Sequence, residues 1–291
     1  MHANPARANQ SFVHSVVPIT RCIACTEVSR SDHPILPMPN DLTHPGWPDL
    51  IERIRARTPA RVLVDRAGAA YRTATQLELR QAHAAARDAV RTEFNLEKDL
   101  GSEFVRQWKL FEVSTCANSK DDYLLRPDLG RRLDDNARQQ LAGLPTQTDL
   151  QIVIGDGLSV TAVATQVPQL LPLIFKEAHG RGWTLGQPFV LRHCRVGVIN
   201  DVGELLDPKV IVLLIGERPG LATTESLSAY MAFKPRPGNN DADRNLISNI
   251  HARGVSCQAA AIRIVKLTEQ MMERELSGVK LKESFTADQI G

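Results

Sequence analysis

From Gln151 onward the chain alternates short apolar runs with longer stretches of helical periodicity, and this texture restricts the fold more than any other feature of the sequence. The runs fall at residues 151–154, 189–191, 196–199 and 209–215, each flanked by glycine, proline or asparagine, as expected of buried strands. Helical patterns lie at 160–178, 225–233 and 258–276, the last with Ile262, Val265 and Met272 marking an apolar stripe. Strand and helix in alternation predict an α/β domain with a Rossmann-like, mostly parallel sheet and helices on its faces. In such sheets ligands sit beyond the carboxyl ends of the strands, which directs attention to the loops after Ile154, Ile199 and Ile215.

The chain ahead of this region reads differently. Leu50, Ile51 and Ile54 recur at helix spacing until Thr58-Pro59, where proline stops the helix. An alanine-rich helix is expected from Thr75 through Val90, further helices over 102–110 and 129–141, and a short extended segment at 111–114. Residues 1–45 lack periodicity and lead into a proline-rich stretch holding Pro34, Pro37, Pro39, Pro45 and Pro48. The expected organisation is an irregular tail over 1–45, a smaller, mainly helical N-terminal domain over 46–150, and a Rossmann-like ligand domain over 151–291.

Composition narrows the class of function. Lys plus Arg number 35 against 33 for Asp plus Glu, a formal charge of +2, and no basic stripe is visible, so binding to nucleic acid through phosphate neutralisation is not expected. The longest apolar runs, such as 170–175 and 210–215, fall well short of the roughly 20 residues that span a bilayer, so no membrane span is expected. Five scattered cysteines (Cys22, Cys25, Cys116, Cys194 and Cys257) do not make a disulfide framework and suit a reducing cytoplasm. Cys22 and Cys25 have the spacing of a zinc or redox pair but stand alone in the tail, and no metal site is assigned.

Three motifs carry chemical content. Gly155-Asp156-Gly157-Leu158-Ser159-Val160 follows a strand and opens a helix, the setting of a dinucleotide fingerprint, with valine in place of the third small residue. It reads either as a nucleotide-binding turn or as a tight strand-to-helix turn in which Asp156 or Ser159 caps free N–H groups. Asn249-Ile250-His251-Ala252-Arg253-Gly254 approaches the D-x-H-x-x-G sequence that offers a histidine to cobalt, but neutral Asn249 stands where an aspartate would raise the imidazole's basicity. Gly216-Glu217-Arg218-Pro219-Gly220-Leu221 places a carboxylate and a guanidinium at the end of an apolar strand, either for a ligand or as a mutual salt bridge. G-x-S-x-G, P-loop and H-E-x-x-H patterns are absent, and no catalytic residue is assigned.

Taken with Arg66-Ala67-Gly68, the run Tyr123-Leu124-Leu125-Arg126-Pro127-Asp128-Leu129-Gly130-Arg131-Arg132-Leu133, the segment Glu225-Ser226-Leu227-Ser228, Asp243-Arg244 and Ile247-Ser248-Asn249-Ile250-His251, these motifs resemble the small subunits of ethanolamine ammonia-lyase. The resemblance covers about 49–282 and is most specific in the C-terminal half. It implies a subunit of an adenosylcobalamin-dependent lyase that deaminates ethanolamine to acetaldehyde and ammonia by a radical mechanism. A TIM-barrel large subunit would carry the substrate site, and the small subunit would close over the cofactor at their interface, in heterodimers that assemble further. Carried over by position, the implied cobalamin contacts are Val196, Glu217 and Leu246, the last standing where relatives have cysteine. Some relatives reside in a bacterial microcompartment; the alternative location is cytoplasmic. Two rival readings are a nucleotide-binding oxidoreductase and a purely structural partner subunit.

Overall fold

A computed structural model describes residues 47–58, 60–64 and 66–283; the tail with Cys22 and Cys25 lies outside them. In chain order the elements are α1 (Trp47–Ala56), β1 (Arg66–Ala67), β2 (Ala70–Tyr71), α2 (Thr73–Arg91), α3 (Leu96–Leu100), α4 (Ser102–Trp108), β3 (Glu112–Ser114), α5 (Lys120–Leu125), α6 (Asp135–Leu141), β4 (Leu150–Gly155), α7 (Val160–His179), β5 (Phe189–Arg192), α8 (Ile199–Leu206), β6 (Val210–Gly216), β7 (Leu227–Phe233), β8 (Asn245–Ile250) and α9 (Cys257–Arg274). Helix starts are set by side chains that accept otherwise unpaired N–H groups. Asn95 accepts from Lys98, Asp134 from Ala137, Ser159 from Ala162 and Ser256 from Ala259.

β1 and β2 form a separate two-stranded hairpin, and the other six strands form one sheet in the order β3-β5-β4-β6-β7-β8. β3, β5, β4 and β6 run parallel, whereas β7 is antiparallel to β6 and β8 is antiparallel to β7. β4 and β6 are apolar at nearly every position because helices cover both faces of the parallel part. On one face Ile152, Ile154, Val212 and Leu214 pack with Val163, Leu170 and Ile174 of α7 and Ile264, Val265 and Met271 of α9. On the other, Val153, Ile211 and Leu213 pack with Leu141 of α6 and Ile199, Val202 and Leu206 of α8. Each of these side chains, fully withdrawn from water, contributes about 1.5–3 kcal/mol. Residues ahead of 150 contribute to the same assembly: β3 is a sheet strand, and Phe94, Leu100 and Leu110 lie in the core with α7. Among the described residues no helix is long and apolar enough to cross a membrane.

Three expectations are corrected. The segment expected as a helix over 225–233 is strand β7, whose Leu227, Ala229 and Met231 face one core while Ala232 faces the other. A strand buried on both faces shows no clean alternation, so its periodicity resembles that of a buried helix. Conversely, the run at 196–199 is not a strand but a 3-10 turn, Val196–Val198, feeding α8. Val198, Ile199, Val202 and Leu206 lie on one buried helical face there, so the strand end in this region is that of β5, at Arg192, and Ile199 opens a helix rather than ending a strand. The third concerns 129–141, where a 3-10 turn at Leu129–Arg131 precedes α6, which begins only after the Asp134 cap.

Candidate functional site

The chain steps from β4 to β5 on one side and reaches β6 on the other, so its winding direction reverses at β4. Crevices form at such reversals because the loops leaving adjacent strands diverge to opposite faces. Here the loops after β4, β5 and β6 border an open cleft of about 420 Å³. Leu158 comes from the first loop, Cys194 to Val196 from the second, Glu217 and Arg218 from the third, and Tyr230 and Leu246 from β7 and β8.

Beneath the cleft, Asp156 is fully buried and holds the loop after β5 in place. Its two carboxylate oxygens accept the backbone N–H groups of His193 and Cys194, each at 2.9 Å. His193 takes a positive φ of 54°, and the paired acceptors hold the backbone in that conformation. Lys120 Nζ lies 3.9 Å from Asp156 and 5.1 Å from the centre of the Tyr123 ring, buried and with no hydrogen-bond acceptor. Burial and the Asp156 charge together push both the Tyr123 phenol and the Cys194 thiol well above their usual ranges, so both stay protonated. Arg195 stacks its guanidinium 4.1 Å from the centre of the Tyr123 ring and donates to the Tyr123 carbonyl at 2.9 Å.

The glycine turn after β4 is closed against β6. Leu158 N–H donates to the Gly216 carbonyl at 3.1 Å, and a Cβ on Gly157, which has φ of 58°, would stand 2.3 Å from that same oxygen. Ser159 caps α7 through Ala162, whereas Asp156 turns to the β5 loop. A donor that a phosphate would need is thereby consumed inside the protein.

Glu217 is half-buried at the end of β6. Its Oε2 accepts the Ser226 hydroxyl at 2.7 Å, and its Oε1 accepts the Ser228 hydroxyl at 2.5 Å and the Asn249 N–H at 2.9 Å. It makes no salt bridge with Arg218 among the described residues. A carboxylate offers about four acceptor positions, so one on Oε2 is left without a partner among the described residues.

A second cavity, of about 1000 Å³, adjoins the first and shares Arg195, Val196, Tyr230 and Leu246 with it. Arg131, Arg132, Arg138 and Arg244 also line it.

The sequence profile of the family described as ethanolamine ammonia-lyase light chain matches residues 48–282. The chain belongs to that family. It is 40% identical over 234 residues to the ethanolamine ammonia-lyase small subunit of Pseudomonas syringae pv. tomato, covering 79% of this chain and 82% of that protein. The small subunit of Rhodopseudomonas palustris is 41% identical over 231 residues, 79% of this chain and 88% of its own length. That of Xanthomonas campestris pv. campestris is 39% identical over 247 residues, 84% and 91% respectively.

Val196, Glu217 and Leu246, taken from the resemblance to ethanolamine ammonia-lyase small subunits, come together at one cleft although β5, β6 and β8 carry them there separately. Leu246 is 46% exposed on the outermost strand and borders the cleft. His251, in contrast, is buried and used internally. Its Nε2 lies 2.7 Å from Asn249 Oδ1 and its Nδ1 accepts the Arg253 N–H at 3.2 Å, which places the proton on Nε2. Neither ring nitrogen is left for a metal, and among the described residues no group of three His, Cys, Asp or Glu side chains is arranged to hold one. Sequence reading missed the roles of Tyr123, Asp156 and Arg195 at this light-chain cleft. It also missed Glu93, whose Oε2 lies 3.3 Å from His193 Nε2 across 100 residues of chain, a separation that leaves no spacing signal.

Proposed function

We propose that this chain is the cobalamin-clasping subunit of an ethanolamine ammonia-lyase, active only with a large subunit that carries the substrate site. The observation that supports this most is the convergence of Val196, Glu217 and Leu246 on one open cleft at the carboxyl ends of the parallel strands. Adenosylcobalamin, when bound, supplies the radical chemistry of the deamination.

The residues present suit such a group. Leu158, Val196 and Leu246 offer an apolar rim for the edge of a macrocycle. Glu217 has one acceptor position left for a corrin amide N–H, and Arg195 Nε is buried without an acceptor of its own. A corrinoid is far larger than a cleft of about 420 Å³ and would protrude from it, so a second protein surface is needed to exclude water from the reacting face. Tyr123 and Cys194 are held protonated and Glu217 is tied to Ser226, Ser228 and Asn249, so the work of this chain is binding and orientation.

The test is to purify the chain alone and with the large subunit in the presence of adenosylcobalamin. Alone it releases no ammonia from ethanolamine; together, corrinoid absorbance and ammonia release co-elute with both chains. Full activity of the isolated chain, or a complex that turns over without corrinoid, overturns the proposal.

A further inference from the structure

We propose that the arginine-walled cavity beside the cleft is a phosphate-ester subsite, and that it takes the phosphodiester of the cofactor's nucleotide loop; this rests on the cobalamin reading above. Five arginines line the cavity against three acids, Asp201, Glu204 and Asp241. Two of the acids are already matched: Arg138 pairs with Asp201 at 2.5 Å, and Arg244 pairs with Asp241. Arg131 and Arg132 have no acid within ion-pair distance among the described residues, so the wall keeps an excess of positive charge.

The decisive observations are two unpaired donors. Arg244 is only 5% exposed along its side chain, and while its terminal nitrogens reach Asp241 and, at 3.2 Å, Asn200 Oδ1, its Nε is buried with no acceptor. Arg195 repeats the pattern: the guanidinium is fixed by Tyr123, and its Nε is also buried without an acceptor. The protein thus matches these guanidinium charges only in part, and an oxyanion in the cavity would complement them. Planar guanidinium groups suit phosphate oxygens because they donate in a fixed fork. Gly197 contributes by having no side chain. A Cβ there would stand 3.0 Å from Arg131 Cγ and would displace the stem that lies along the wall.

Position ties the subsite to the cleft. Arg195, Val196, Tyr230 and Leu246 border both cavities, so a corrinoid seated on the apolar rim would carry its periphery into the arginine cavity. The phosphodiester is the fixed negative charge on that periphery, whereas the corrin side chains are neutral amides.

The experiment uses the complex with the large subunit and measures bound corrinoid by absorbance after equilibrium dialysis. Adenosylcobalamin is compared with adenosylcobinamide, which lacks the nucleotide loop and its phosphodiester. Doubly substituted complex (Arg131→Gln with Arg132→Gln) is expected to lose about tenfold in affinity for adenosylcobalamin and to hold adenosylcobinamide as the unsubstituted complex does. An equal loss for both, or no loss for either, overturns the phosphate assignment while leaving the cobalamin reading intact. If the unsubstituted complex retains neither corrinoid, the cobalamin reading fails and the subsite with it. Size-exclusion chromatography of the substituted complex confirms that the two chains still associate.

Discussion

Glu217 Oε1 accepts the backbone N–H of Asn249 at 2.9 Å, joining the end of β6 to the end of β8 across the intervening strand. With the hydroxyls of Ser226 and Ser228 on the same carboxylate, one side chain fastens three strand ends at the mouth of the cleft. A residue expected to face a ligand is thus also a structural clasp. Its two roles make separable predictions.

Glu217→Ala leaves two buried serine hydroxyls and a backbone N–H without their acceptor and should cost about 2 kcal/mol, read as a lower urea midpoint. Corrinoid retention in the complex should fall as well. A residue that contacted ligand alone would leave the midpoint of the free chain unchanged, which would refute the clasp.

Asp156 and Lys120 form a buried pair in which the ammonium has no hydrogen-bond acceptor and no other acid among the described residues. Asp156→Ala should cost about 3–5 kcal/mol, because two N–H groups lose their acceptor and a buried ammonium loses its counter-charge. Combining it with Lys120→Met should recover at least about 1 kcal/mol relative to the sum of the single changes. Strict additivity in thermal or denaturant unfolding would show that the 3.9 Å approach carries no coupling.

Asp149 gives stability an acid limit. Burial alone would raise its pKa, but hydrogen bonds from Lys209 and from the Thr184 N–H and hydroxyl outweigh that and hold the carboxyl below its usual range. A depressed carboxylate contributes stability above its unfolded value of about 3.9, and that contribution is lost as pH falls through the lower, folded value. Asp149→Asn should therefore be less stable at neutral pH by about 1–2 kcal/mol, with the gap closing below about pH 4. A gap independent of pH in acid titrations of the two proteins would contradict this.

Cys194 lies at the floor of the cleft with no exposed surface, its thiol pushed up by burial first and then by the Asp156 charge. Alkylation at pH 8 should proceed there only as fast as the protein unfolds, while partly exposed Cys116 reacts in the folded state. Peptide mapping after a short iodoacetamide pulse distinguishes them. Prompt labelling of Cys194 would mean that the cleft floor opens.

The parts of the fold most legible in the sequence were those whose burial is written in a local repeat. β4 and β6 are continuous apolar runs, and the serine before α7 and the stripe of α9 announce helices. β7 is misread because an element buried on two faces shows no clean alternation, and the 196–199 run because four apolar residues are too few to separate a period of two from one of 3.6. β8 escaped notice because an edge strand, with only Ile247 and Ile250 inward, carries few apolar residues to count.

The site divides the same way. Glu217 was visible as a carboxylate at the end of an apolar strand, and Val196 and Leu246 through the family motifs. Nothing in the sequence indicated that Asp156 would hold the backbone after β5, that Glu93 would meet His193, or that arginines from 131 to 244 would share a cavity.

The sequence by itself determined the alternation of strand and helix and the membership of the ethanolamine ammonia-lyase light chains, since both depend on residue types at fixed local spacing. Tertiary structure alone decided the mixed sheet, the reversal at β4 that opens the cleft, and which acceptors Glu217 and Asp156 leave free. Those outcomes depend on pairings between residues tens to a hundred positions apart, and such pairings follow from burying both faces of the sheet at once, a condition no single segment encodes.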